Sequence, residues 1–269
     1  VKGKAPPQAA YVLHRWDWSE SSLVLDLFTR EHGRVAAVAK GAKRPYSQLR
    51  PVLLPFQRLN VHLGRSAEAE VQLLRGADWA GGAPMLTGDA LFSGFYLNEL
   101  LMKLLARQDP HPALFDAYAA TLPALSGGNE LRAQAGLRAF ELMLLRSTGL
   151  LPDLAQVTLR LEATEPRARY ALRAESGLVD AAGAEAALSG QVWTTLQAAL
   201  DAGDLGALQA ACLLSLQPLR GQLRTLLHYH LGSPLLRTRE VMRDLQRLID
   251  VPPPPPPDEP SRGSRIPAA

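Results

Sequence analysis

The residues most able to act on another molecule are concentrated in one run, Val38-Ala-Lys-Gly-Ala-Lys-Arg-Pro-Tyr-Ser-Gln-Leu-Arg-Pro-Val-Leu-Leu-Pro-Phe56. Lys40 ends an apolar stretch and Gly41 lets the backbone turn. Lys43, Arg44 and Arg50 follow on a loop marked by Pro45, Pro51 and Pro55, each of which removes a backbone donor from any sheet. Cations on a loop can follow a line of phosphates without reading a sequence, in a contact that weakens steeply with salt. Tyr46, inside the cluster, offers a ring face to an unpaired base; ordinary loop packing would use the same residue equally well. The wider segment Arg30 to Arg65 holds eight basic residues and a single acid, Glu31. That is the footprint of a polyanion-binding surface, although a solvated basic face has the same composition.

Nothing comparable supports bond-making chemistry. The chain lacks a P-loop, a nucleophile elbow, an H-E-x-x-H helix and a dinucleotide fingerprint. His228 and His230, two residues apart, point to different faces of a helix and read as cap or packing residues. Cys212, the one cysteine, lies in an Ala/Leu helix and reads as a small buried hydrophobe, which excludes a disulfide framework and a multi-cysteine zinc site. A nuclease needs carboxylates clustered beside the basic strip to hold metal ions, and Glu31 stands alone there. Neither catalytic residues, cofactor nor metal is expected, and the chain does not read as an enzyme.

The elements that must position the loop follow from patterning. The chain has 269 residues, 47% of them hydrophobic, enough for about two domains. No apolar run is long enough for a membrane span. No apolar segment follows Val1–Gln8 before Arg15, so a secretory leader is not expected and the cytoplasm, at the nucleoid, is the expected location. Residues 1–8 are expected to be disordered. Residues 9–82 read as strands rich in β-formers: Tyr11-Val-Leu-His-Arg-Trp, Leu23-Val-Leu-Asp-Leu-Phe, Val35-Ala-Ala-Val-Ala, Phe56–Leu63 and Glu70–Arg75. Gly33 supplies a hairpin turn between the second and third. Five strands with a basic loop after the third fit a small Greek-key barrel of the OB type, or a half-open sandwich. Gly81-Gly82-Ala-Pro84 closes that domain.

Beyond it the period becomes helical. Leu91/Phe92, Phe95/Tyr96, Leu100/Leu101 and Leu104/Leu105 form a first helix ended by Asp109-Pro110; a second runs from Pro112 to about Leu125; Asn129 caps a third that stops at Gly149. Residues 157–180 interrupt with a small β-excursion, and helices resume near Gln191, Leu205, Leu219 and Arg237. The fold class is therefore α+β, a barrel domain followed by a helical domain over 83–250. The stretch 251–269, with six consecutive prolines, is expected to be disordered. Charge is divided: residues 1–82 carry a net +5, 83–218 a net −5 and 219–269 a net +3.

Several segments in register resemble bacterial RecO, the recombination mediator family. They are Tyr11-Val-Leu-His14, Leu27-Phe-Thr-Arg-Glu-His-Gly-Arg-Val35, the lysine–arginine loop, Tyr96-Leu-Asn-Glu-Leu-Leu101, Asp109-Pro-His-Pro-Ala-Leu-Phe115, Leu137-Arg-Ala-Phe-Glu-Leu142, Gly149-Leu-Leu-Pro-Asp153 and His230–Glu240. The resemblance covers about 10 to 250. It implies an N-terminal OB-fold, binding of single- and double-stranded DNA, annealing of complementary strands, and contact with the C-terminal tail of single-stranded-DNA-binding protein (SSB). It further implies work with RecR in loading RecA onto SSB-coated DNA. Arg34, Lys40, Lys43, Arg44 and Arg50 match basic positions of the family's first-domain motif and are expected at phosphates; Arg237 and Arg239 match its closing basic pair.

Arg138 falls in the family-like helical run, and a groove made apolar by Phe140 and Leu144 would take the aromatic end of an SSB tail while Arg138 pairs its terminal carboxylate. A plain i, i+3 pair of Arg138 with Glu141 is the competing reading. Two departures matter. The paired Cys-x-x-Cys zinc ligands of many family members are missing from 155–185, so the excursion lacks zinc ligands and must hold by packing. Tyr46 stands where lysine is common. An RNA-binding OB module or a non-catalytic interaction scaffold are the alternatives.

Overall fold

A computed structural model describes residues 6–64, 69–232, 236–238 and 240–242. Arg65, Arg239, the first five residues and the proline-rich stretch lie outside the described residues. Its first five elements are β1 (Gln8–Asp17), β2 (Leu23–Thr29), β3 (Gly33–Ala39), β4 (Gln57–Leu63) and β5 (Val71–Gly82). They form a closed barrel in the order β1-β2-β3-β5-β4, with β1 also joined to β4 and the β3–β5 pair parallel. This is the OB-fold expected, in place of the half-open sandwich.

Alternation assigns the two faces of each strand. Val12, Leu25, Leu27, Val35, Leu59 and Val61 fill the barrel, whose interior cluster contains no aromatic ring. The opposite face is also buried, because Tyr11, Leu13 and Phe28, with Phe56, pack into the core of the helical domain. A bulge between Val12 and His14 then shifts the register, setting His14 opposite Asp26 and Trp16 opposite Val24.

The helical domain comprises α1 (Gly88–Leu104), α2 (Pro112–Ser126), α3 (Glu130–Ser147), α4 (Gly190–Ala202), α5 (Leu205–Leu213) and α6 (Leu216–Leu231). Among the described residues no helix is long and apolar enough to cross a membrane. Asn129 caps α3 as expected, its side chain accepting from Arg132 N–H at 3.0 Å. Helix α1 ends well before Asp109-Pro110. Arg34 draws off the carbonyls of Met102 and Leu105, and Gln108 N–H donates to the Arg34 carbonyl at 2.9 Å, so the chain leaves the helix to run along β3.

The β-excursion is longer than its sequence signal, reaching Ser189. It consists of a two-stranded piece, β6 (Gln156–Val157) with β7 (Glu162–Ala163), and a three-stranded sheet. That sheet has β8 (Arg169–Arg173) between β9 (Gly177–Asp180) and β10 (Leu188–Ser189). Without cysteine it holds by packing: Val157, Tyr170, Leu172, Leu178 and Leu188 join the core around the fully buried Trp193. Gln222 of α6 accepts from Leu172 N–H and donates to the Ala186 carbonyl, pinning the sheet to the helices.

Candidate nucleic-acid interface

The loop between β3 and β4 is a chain of tight turns. Arg44 N–H bonds the Gly41 carbonyl, Ser47 that of Arg44, Arg50 that of Ser47 and Val52 that of Leu49, all at 3.0–3.3 Å. Gly41 has φ +72°, a conformation costly for any residue with a Cβ. Ala42 and Leu53 are fully buried, so the loop is anchored at both ends while its polar residues face outward. Lys40, Arg44 and Arg50 are exposed, and among the described residues none of the three is held in an ion pair. Tyr46 is 95% exposed and forms the wall of a shallow hollow of about 520 Å³ shared with Gln48 and Arg50.

Lys43 is placed differently. Its ammonium pairs with Asp17 at 2.9 Å and donates to the Ser19 carbonyl at 3.2 Å, while its N–H donates to the Ser21 carbonyl. It therefore clamps the loop to the β1–β2 hairpin. Arg15 reinforces this from β1, donating to the Leu53 carbonyl at 3.3 Å. Two exposed tryptophans that the sequence reading passed over lie here: Trp18, 70% exposed, next to Asp17 at the clamp, and Trp16, 44% exposed, on the other face of β1 beside His14. Their signal was Trp16-Asp17-Trp18 at a strand end running into a turn, where large rings have no interior to enter.

Arg34 is not a phosphate-facing residue. Its guanidinium makes a forked bond to Asp26, at 2.8 to 3.0 Å, and caps the end of α1. Asp26 is fully buried, and removing the partner would leave a carboxylate without water. Sequence position alone does not separate a cation on the barrel lip from one turned between two domains.

Arg237 is exposed on the closing segment, whose start is fixed by Glu99. The Glu99 carboxylate accepts from Arg237 N–H at 2.8 Å and from Thr238 N–H and Oγ1 at 3.0 and 2.8 Å. Burial raises the Glu99 pKa, but these bonds and the nearby Lys103 outweigh it and hold it below the usual carboxylate value. The charge of Arg237 reaches His14 on β1. The His14 pKa is lowered, chiefly by burial and further by Arg237, against the opposing pull of Asp26.

A second concavity, of about 670 Å³, lies on the helical side between α1, the start of α3, α6 and the closing segment. Arg138 is in its wall, bonded through Nη2 to Glu141 at 2.5 Å; Tyr96 donates to the same carboxylate at 2.6 Å. The competing i, i+3 reading of that arginine is therefore realised, within the groove. Phe140 and Leu144 do not line it. Both are fully buried on the core side of α3, and its groove side carries Ala133, Gln134 and Leu137. The apolar floor comes instead from Phe92, Leu137, Leu227 and Leu236, with Arg220 and Arg224 added from α6 at i, i+4 spacing. Cys212 is buried, and burial pushes its thiol up to about 12, so it offers no thiolate.

The family described as recombination protein O, N terminal, matches residues 7–82, and recombination protein O, C terminal, matches residues 85–239. The chain is 54% identical to the DNA repair protein RecO of Polaromonas sp., over 90% of this chain and 97% of that one. It is 55% identical to the protein of the same name from Variovorax paradoxus, over 90% and 96%, and 51% identical to that of Delftia acidovorans, over 90% and 96%.

Proposed function

The chain belongs to the recombination protein O family, and from that premise we propose that it is a non-catalytic mediator of DNA repair. It binds single- and double-stranded DNA through the barrel lip, anneals complementary strands, and works with SSB and RecR to load RecA onto SSB-coated DNA in the cytoplasm. The observation that carries this reading is the β3–β4 loop, with Lys40, Arg44 and Arg50 turned outward and free of ion pairs among the described residues. Annealing needs no bond-making residue. Neutralising two phosphate backbones removes the repulsion between strands, and base pairing supplies the driving force.

The helical groove supports the SSB contact. Arg220 and Arg224 join Arg138 at an apolar floor, and Arg138 comes from residues 83–218, whose net charge is −5. An acidic peptide ending in an aromatic residue and a carboxylate would place its ring on Phe92 and Leu227 and its charges at Arg220 and Arg224, with Arg138 behind them.

The test of the DNA face is binding of labelled oligonucleotides over a salt series. Replacing Lys40, Arg44 and Arg50 together by Ala should flatten the dependence of log affinity on log salt by roughly 2 for single strands, about 0.7 per lost phosphate contact. An unchanged slope would place the DNA elsewhere. DNA and RNA strands of one sequence, in competition, separate this reading from an RNA-binding module.

A further inference from the structure

Two large aromatic rings are left in water beside the β3–β4 loop and its clamp: Trp18 and Tyr46, 70% and 95% exposed. The barrel has an apolar interior of its own, yet that interior is wholly aliphatic. Packing therefore does not account for rings at these positions. Trp18 and Tyr46 lie one and three residues along the chain from the two ends of one fixed joint, the Asp17–Lys43 ion pair backed by the Lys43 N–H bond to the Ser21 carbonyl. Trp16 instead lies on the other face of β1, edge-on against His14 with ring centroids 4.4 Å apart. The lip thus combines two exposed rings with Lys40, Arg44 and Arg50, which lie in the same segment as Tyr46. Trp79, the other exposed tryptophan of the barrel, is two strands away on β5 and is tied through Nε1–H to Gln57 at 3.1 Å.

We propose that Trp18 and Tyr46 are the base-stacking surface of the barrel and that they give it its grip on unpaired strands. The inference rests on the DNA-binding reading above and adds what that reading lacks, a cause for strand preference. Phosphate contacts act on single strands and duplexes alike, whereas a ring can stack only on a base whose face is free. Stacking also suits annealing, since bases held by one face keep their pairing edges open to a second strand.

The experiment is binding of the full chain to labelled oligo(dT) and to a hairpin duplex of equal charge, comparing wild type, Trp18→Ala/Tyr46→Ala, Trp18→Phe and Trp79→Ala. The double variant is expected to lose roughly tenfold or more in oligo(dT) affinity while duplex affinity stays within about twofold. Trp18→Phe should keep most of the binding, Trp79→Ala all of it, and thermal melting of all four should coincide. Oligo(dT) should quench the wild-type tryptophan fluorescence, and quench it less when Trp18 is gone. Equal loss on both ligands, or no loss on oligo(dT), overturns the stacking surface while leaving the DNA-binding reading in place. Wild-type protein that binds neither ligand overturns both.

Discussion

Asp26 and Arg34 set the terms at the scale of single residues. A carboxylate with no exposure is tolerable only while a guanidinium forks onto it, and the same guanidinium closes the end of α1. Arg34→Ala should therefore cost about 3 kcal/mol of stability in urea unfolding, the lower end for a broken buried pair because Arg107 remains at 3.9 Å. Arg34→Lys should not restore it, since an ammonium lacks the fork. Neither change should alter the salt slope of DNA binding beyond its effect on the folded fraction. Glu99 carries a pH dependence whose sign is fixed by its lowered pKa. A depressed carboxylate contributes stability that is present above its unfolded value of about 4.3 and is lost as pH falls through the lower folded value. The Arg237–Thr238 anchor should thus hold throughout the neutral range and release only in acid. Glu99→Gln should release it at neutral pH, read as roughly tenfold or faster amide exchange at those two residues. Residue types were legible in the sequence, but their partners were not. Arg34 and Arg44 look alike in a basic run, and only the fold distinguishes the one turned onto Asp26 from the one turned to water.

At the scale of elements, hairpins and bulges decide what the strands present. Gly33 sits at φ +63°, and a Cβ there would lie 1.8 Å from the Asp109 carbonyl oxygen. Gly33→Ala should destabilise by about 2 kcal/mol or more through backbone strain, and further by pushing the helical domain off the β2–β3 turn. Denaturant midpoints should fall with little change in slope. The strands, the first three helices and the capping Asn129 were legible because alternation, period and punctuation are local. The end of α1 and the extent of the β-excursion were not, because both are set by partners distant in the chain: Arg34 for the helix, Gln222 and Trp193 for the excursion. The groove on α3 shows the same limit. An i, i+4 pair of apolar residues, Phe140 and Leu144, marks a buried face as readily as an open one.

At the scale of the molecule, the charge is polarised between the two domains. The barrel presents cations and rings on one lip, and the helical domain, net negative over most of its length, gathers Arg138, Arg220 and Arg224 around one apolar hollow. Arg220→Ala/Arg224→Ala should weaken binding of an acidic C-terminal peptide about a hundredfold, given two charge-assisted contacts of roughly 1.5 kcal/mol each, and leave oligo(dT) binding unchanged, as measured by anisotropy of the labelled peptide and of the labelled oligonucleotide. The Asp26–Arg34 centre and the shared aromatic core join the two surfaces in one body, which under the proposed function keeps a strand held at the lip near a protein held at the groove. The most direct test is annealing of two complementary oligonucleotides coated with the cognate SSB, at low and moderate salt. The account requires salt-sensitive annealing that is lost when Lys40, Arg44 and Arg50 are replaced by Ala. Folded wild-type protein that anneals neither coated nor bare strands would contradict it.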